Sequence, residues 1–162
     1  MRICICPGSF DPITQGHLDI IQRASKLFDK VIVSVMVNSE KNTAFTVEER
    51  VDLIRRSVVG IDKAEVEGVE NMLLADYARQ KGAVAIVKGL RAVSDYEYEV
   101  QQALMNKSLN SSLETVFLVT DADNMFLSSS AVKEVCRLGG DIASFVPPAV
   151  HEDIVNRLRL KS

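Results

Sequence analysis

Cys6-Pro7-Gly8-Ser9-Phe10-Asp11-Pro12-Ile13-Thr14-Gln15-Gly16-His17 separates an apolar N-terminal run from the first segment with helical periodicity. Residues 2–6 have the length and β-branched character of a buried strand, whereas Leu18, Ile21, Ala24 and Phe28 recur three and four apart, as one face of a helix does. The stretch therefore reads as a strand-to-helix loop. Its end is a helix N-terminus, where unpaired N–H groups and the positive end of the helix dipole favour an anion. Gly16 brings no Cβ to hold a phosphate away, and His17 in the first turn faces the same anion.

The rest of the chain bounds what this loop can serve. At 162 residues, with 47% hydrophobic and 25% charged side chains, the composition is that of one globular domain spanning residues 1–162. A net charge of −3 and a pI near 5.4 give no global field for nucleic acid or an anionic membrane, so neither is an expected partner. Any anion site must be a local cluster of cations. No apolar stretch approaches the ~20 residues of a membrane span or has the build of a signal peptide, and a cytoplasmic protein is expected. Cys4, Cys6 and Cys136 form no C-x-x-C pair, which argues against a disulfide framework or a structural zinc site. Cys4 and Cys6 are expected as small core residues on one face of the first strand.

Along the chain, strands and helices alternate. Residues 31–37 are almost continuously apolar, like a strand covered on both faces. Thr46-Val47-Glu48-Glu49 is a capping box opening a helix to about residue 58. A weaker strand is predicted over 64–69, a helix over about 71–80 stopped by Lys81-Gly82, and a strand over 83–87. A long helix over 94–109, a strand over 115–119, helices over 128–138 and about 149–160 complete the series. Five strands joined by helices predict an α/β fold, a doubly wound five-stranded parallel sheet with right-handed crossovers.

In such a sheet all strands end on one edge, and ligands bind where strand order reverses. That edge collects His17, Lys41, Lys88-Gly89-Leu90-Arg91 and the segment 121–130, in which Ser128-Ser129-Ser130 opens a second helix N-terminus. Singly, each is ambiguous: Thr14 to His17 can be an ordinary cap, Lys41 a solvated charge, the serines a capping run. Topology puts them on one rim, and in an acidic protein that is a concentrated phosphate site.

Three blocks carry a specific resemblance: Pro7-Gly8-Ser9-Phe10-Asp11-Pro12-Ile13-Thr14-Gln15-Gly16-His17, the run from Lys88 to Glu99, and Phe126-Leu127-Ser128-Ser129-Ser130. Together the chain resembles the bacterial phosphopantetheine adenylyltransferases. The Thr/His-x-Gly-His motif belongs to the wider nucleotidyltransferase superfamily, with its Rossmann-like fold, and the Gly-Leu-Arg with Asp-Tyr-Glu-Tyr-Glu block is closer to this family. The resemblance implies transfer of the adenylyl group of ATP to 4'-phosphopantetheine, giving dephospho-coenzyme A and pyrophosphate. The nucleophile is a phosphate already ionised at neutral pH, so in-line attack needs no general base, only positioning and charge stabilisation.

By resemblance, His17, Lys41 and Lys88 are the catalytic residues, with His17 donating to the reacting α-phosphate. Ser9, Phe10, His17, Gly89, Leu90, Arg91 and Glu99 match ATP contacts, as does the segment Asn124, Met125, Phe126, Leu127, Ser128, Ser129 and Ser130. Ser9, Lys41, Leu74 and Lys88 match contacts to phosphopantetheine, although Leu74 by periodicity is equally a core residue and Glu99 could pair along its helix. Asp11, Asp95 and His151 are read as structural or exposed residues. Lys88 stands where many members have Arg, Asn124-Met125 where an aromatic often precedes the Phe, and Cys6 where Tyr is commoner. No metal ligand set is visible, and Mg²⁺ is expected to come with ATP. The resemblance also implies a homohexamer and coenzyme A as feedback inhibitor. Two alternatives stay open: a sister transferase acting on nicotinamide mononucleotide or using CTP, and a non-catalytic nucleotide-binding module.

Overall fold

The structure, a computed structural model, describes residues 1–37 and 42–159. Five strands, β1 (Ile3–Gly8), β2 (Lys30–Met36), β3 (Ala64–Val69), β4 (Ala85–Leu90) and β5 (Glu114–Val119), form one parallel sheet in the order β3-β2-β1-β4-β5. Strand order reverses at β1, the doubly wound arrangement expected from the alternation. The helices are α1 (Gln15–Leu27), α2 (Val47–Ser57), α3 (Leu74–Lys81), α4 (Val93–Leu109), α5 (Ser129–Arg137) and α6 (His151–Leu158).

The pleat of each strand divides the core. Cys4, Cys6, Val31, Val33, Val35, Ala85 and Val87 face a large cluster completed by Ile20, Ile21 and Ala24 of α1, Val51 and Ile54 of α2, Val132 and Cys136 of α5 and Ile154 and Leu158 of α6. The alternate residues Ile5, Ile32 and Ile86 face a smaller cluster with Tyr77 and Ala78 of α3 and Leu113. Alternation thus covers both faces with apolar residues, as a buried parallel sheet requires. The two cysteines of β1 are buried on one face, as expected. Helix α4 lies on the thinner side beside α3 and β5 and has no buried residue.

Several boundaries differ from the sequence reading. β4 begins two residues later and continues through Lys88, Gly89 and Leu90, because these pair with Phe117, Leu118 and Val119 of β5. Lys88 to Leu90 are therefore the end of a strand, not the loop beyond it. β1 likewise runs on through Pro7 and Gly8, held by Ser34 and Val35. α3 starts at Leu74 rather than near residue 71, since Asn71 has a φ of 52°, outside the helical region. Ser128 is the N-cap of α5 rather than its first residue. Pro148–Val150 form a 3-10 turn, so the last helix begins at His151. The Thr46 and Glu49 capping box is present as expected, with Thr46 N–H to Glu49 Oε2 at 2.8 Å and Glu49 N–H to Thr46 Oγ1 at 3.2 Å.

Candidate active site

The site begins as a fault in the sheet. β1 pairs with β2 over six residues and β4 with β5 over six, but β1 and β4 pair only at Cys4 with Ala85 and Ile5 with Ile86. Beyond that point the two strands part. Their C-terminal ends, Cys6-Pro7-Gly8 and Val87-Lys88-Gly89, wall a cleft of about 300 Å³ at the switch point, within the usual range for small-molecule sites. α1 contributes Gly16, His17, Ile20 and Ile21; Arg91 comes from the turn between β4 and α4, Asp95 and Glu99 from the start of α4, and Asn124, Leu127, Ser128 and Ser129 from the segment after β5. Two helix N-termini open into it.

At the first of them, most donors are taken. Gln15 N–H donates to Phe145 O at 2.8 Å, His17 N–H to Thr14 Oγ1 at 3.3 Å and Leu18 N–H to Thr14 O at 3.1 Å. The Gly16 N–H has no partner among the described residues. A Cβ on Gly16 would meet its nearest neighbour, Asn124 Cβ, at an ordinary 3.6 Å, so packing does not demand glycine there. What the missing side chain leaves open is the cleft.

His17 joins the cap and the cleft in one residue. Its Nδ1 accepts the Thr14 N–H at 3.0 Å while Thr14 Oγ1 accepts the His17 N–H, a reciprocal capping box with His in the place of Glu. Nδ1 is therefore the unprotonated nitrogen, and the proton of the neutral ring sits on Nε2, available as a donor. Burial first, and the charge of Arg91 second, lower its pKa from 6.5 to about 4, so it is neutral near pH 7. The sequence reading set capping against function at Thr14 and His17; the structure shows the cap and a place in the cleft together.

The cations of the cleft are already engaged. Lys88 Nζ lies 2.8 Å from Glu99 Oε2, a charge contact without directed hydrogen-bond geometry. Arg91 donates through Nε to Asp95 at 3.3 Å and through Nη1 to the Leu127 carbonyl at 2.6 Å. Glu99 thus pairs across to β4, not with a helix neighbour, and Asp95, read as a structural residue, lines the cleft. Its signal in the sequence is the i, i+4 spacing from Arg91.

The serine hydroxyls are committed too. Ser128 Oγ accepts the Ala131 N–H at 3.0 Å and Ser129 Oγ donates to Pro12 O at 2.7 Å. The first-turn N–H groups of Ser129 and Ser130 are what the α5 terminus leaves for a ligand. Cys6 lines the cleft, but hydrogen bonding to Cys4 and burial push its thiol well above the usual range, so it is no nucleophile.

Of the expected site residues, Phe10, His17, Lys88, Gly89, Arg91, Glu99, Asn124, Leu127, Ser128 and Ser129 line the cleft. Ser9, Leu90, Met125, Phe126 and Ser130 lie outside its lining; Phe126 is exposed and stacks edge-on against Phe145, with centroids 5.5 Å apart. Leu74 packs on the α3 side of the sheet, against the cluster of Ile5, Ile32 and Tyr77. Lys41 lies outside the described residues. Among the described residues no group of three His, Cys, Asp or Glu is placed to hold a metal.

Comparison with known proteins places the chain in a family. The cytidylyltransferase-like family model matches residues 5–135. The phosphopantetheine adenylyltransferase of Clostridium novyi (strain NT) is 55% identical over 158 residues, 98% of each chain, and that of Streptomyces coelicolor 55% over 159 residues, 98% of this chain and 99% of the other. The chain belongs to the phosphopantetheine adenylyltransferase family. Among solved structures, Plasmodium falciparum nicotinic acid mononucleotide adenylyltransferase complexed with NaAD superposes with a TM-score of 0.71 at 15% identity, covering 96% of this chain and 95% of that one. At that identity the likeness establishes the shared Rossmann-like nucleotidyltransferase fold. Across the phosphopantetheine adenylyltransferase fold as this chain builds it, the parting of β1 from β4 makes the cleft and the two helix ends supply its donors.

Proposed function

We propose that the chain transfers the adenylyl group of ATP to 4'-phosphopantetheine, giving dephospho-coenzyme A and pyrophosphate. The observation that carries this reading is the splayed end of β1 and β4, which puts a neutral His17, the Gly16 N–H and the Lys88 and Arg91 side chains around one cleft. The near-full-length relatives supply the acceptor.

An oxygen of the phosphopantetheine phosphate attacks the α-phosphorus of ATP in line. A bond forms between them as the bond to the bridging oxygen breaks, and pyrophosphate leaves. The attacking oxygen is ionised at neutral pH, so no base has to remove a proton. The work left to the protein is positioning and stabilising the extra charge at the crowded phosphorus. His17 does this through Nε2–H, directed at an α-phosphate oxygen and strengthening as charge develops. Gly16 N–H and the Ser129 and Ser130 N–H groups hold phosphate oxygens, and Arg91, Gly89, Leu90, Glu99 and the segment Asn124 to Phe126 hold the nucleotide. Ser9, Lys41 and Lys88 hold the acceptor phosphate, and Leu74 the pantetheine arm. Lys88 and Arg91 stay beside Glu99 and Asp95 and turn their remaining N–H donors to phosphate when substrate enters.

Mg²⁺ would come bound to ATP. Asp95 and Glu99, the cleft carboxylates, are each paired with a cation, which fits a metal held mainly by triphosphate oxygens and water, supplying further charge neutralisation. Coenzyme A carries both the nucleotide and the pantetheine arm and competes for the same cleft as a feedback inhibitor. The assembly is a homohexamer, a reading supported by the exposed apolar residues of α4. The protein works in the cytoplasm, which is in keeping with the finding that no described helix is long and apolar enough to cross a membrane.

A pyrophosphate-release assay with ATP or CTP against phosphopantetheine and nicotinamide mononucleotide tests donor and acceptor together. Turnover only with ATP and phosphopantetheine is expected. Release with the other acceptor alone overturns the substrate, and no release with any pair overturns the enzyme. His17→Ala should lower kcat about 10²–10³-fold with ATP affinity within a few-fold, the mark of an interaction made in the transition state.

A further inference from the structure

Arg50 is only 3% exposed, on the face of α2 that also carries Val47, Val51 and Ile54, where the helical pattern asks for an apolar residue. A buried guanidinium needs partners. Its described partners are two carbonyl oxygens: Nη1 donates to Ser9 O at 2.8 Å and Nε to Thr46 O at 3.3 Å. Ser9 O belongs to the peptide that leads into Phe10.

Phe10 has a φ of 48°, in the left-handed region that a bulky residue occupies only when its surroundings hold it there. It is held on both sides. Arg50 grips the peptide before it, and after it the buried Asp11 carboxylate accepts the Ala44 and Phe45 N–H groups at 2.9 and 3.0 Å and pairs with Lys133 at 2.9 Å. The resulting turn brings the Phe10 ring over Gly8, filling the space a Cβ would need there, and edge-on to His17 with centroids 4.9 Å apart.

We propose that Arg50 is a positioning residue for adenylyl transfer: by holding the Ser9 carbonyl it locks Phe10 in its left-handed conformation and so seats the Phe10 ring against His17. The proposal rests on the function given above for His17. The ring shields one side of the imidazole from water, and with Thr14 N–H on Nδ1 it leaves Nε2–H a single direction, toward the cleft. Burial is also the largest cause of the low His17 pKa, and Phe10 is part of what buries it. A lysine can reach one of the two carbonyls but has no rigid fork for both.

Arg50→Gln and Arg50→Lys, each checked for native circular dichroism and melting, are compared with Phe10→Ala and with the double variant. In Arg50→Gln, kcat is expected to fall at least tenfold with the KM for ATP little changed, and the His17 ring, followed by NMR, to titrate at least one pH unit higher. Arg50→Lys should recover part of both effects, and Arg50→Gln added to Phe10→Ala should change neither further, because both act through one contact. A folded Arg50→Gln protein with wild-type kcat and His17 titration overturns the proposal. So do effects of Arg50→Gln and Phe10→Ala that simply add. Should Arg50→Gln not fold, Arg50→Lys carries the same comparison with Phe10→Ala. The His17 titration is read without turnover, so it decides the role of Arg50 even if the assay above overturns the adenylyl-transfer reading.

Discussion

At the scale of one residue, His17 shows how a local structural rule can serve chemistry. A Glu in its place would cap α1 equally well and bring a negative charge to face a phosphate; a histidine caps through Nδ1 and keeps a neutral donor on the other nitrogen. The depressed pKa has a consequence for stability. A folded value of about 4 against 6.5 in the unfolded chain means that the unfolded state takes up the proton first as pH falls. The favourable contribution is complete above about pH 6.5, erodes below it and is gone near pH 4. A shift of that size corresponds to about 3–4 kcal/mol. In His17→Asn the Asn oxygen can still accept the Thr14 N–H but does not titrate. Urea melts between pH 7.5 and 4.5 should therefore show a stability loss smaller than that of the wild type by most of that amount. Equal slopes would place the titration of His17 near its ordinary value.

At the scale of an element, two glycines separate packing from function. Gly89 on β4 lies under α1: a Cβ there would stand 3.0 Å from Ile20 Cγ1 and 3.3 Å from Thr120 Oγ1, so the helix approaches the strand only because the side chain is missing. Gly16 is the opposite case, open on the protein side and facing the cleft. Gly89→Ala should cost about 1–3 kcal/mol in a urea melt. Gly16→Ala should leave stability unchanged or raise it by up to about 1 kcal/mol, since Ala is the better helix former, while ATP affinity falls tenfold or more. A Gly16→Ala protein that binds ATP normally would remove the α1 terminus from the phosphate site. The same elements show what could be read from sequence. The alternation of apolar runs with amphipathic helices carried the sheet and its C-terminal rim, because burial on both faces writes itself into composition. The ends of β1 and β4 are hidden in the sequence because Pro7-Gly8 and Lys88-Gly89 look like loop, and only neighbouring strands hold them extended. Nor could one chain show that Lys88 and Arg91 stand paired with Glu99 and Asp95, since those pairings depend on how α4 lies against β4. Arg50 left a trace, a charge inside an apolar stripe, whose meaning came only with the Ser9 carbonyl.

At the scale of the whole molecule, the two sides of the sheet are unequal. α1, α2, α5 and α6 cover one face with the larger cluster, whereas on the other α4 adds nothing buried. Along α4, Tyr98, Met105 and Leu109 lie seven and four residues apart, on one stripe, and all three are exposed. A helix that takes little part in the core of its own chain can be altered there without unfolding it, and an exposed apolar stripe of this kind is what a second copy would cover. Tyr98→Glu combined with Met105→Glu would place two charges in such an interface, where burial without partners is costly. Sedimentation should show the proposed hexamer replaced by smaller species, with the circular dichroism of the chain unchanged. Because Asp95 and Glu99 stand on the first turns of the same helix and Arg91 just before it, loss of assembly should also weaken ATP binding, through a freer α4 rather than any altered contact in the cleft. If the double variant sediments as the wild type does, this stripe is not the interface, and the cover for α4 must be sought on its other side, where Val93 and Leu104 are exposed.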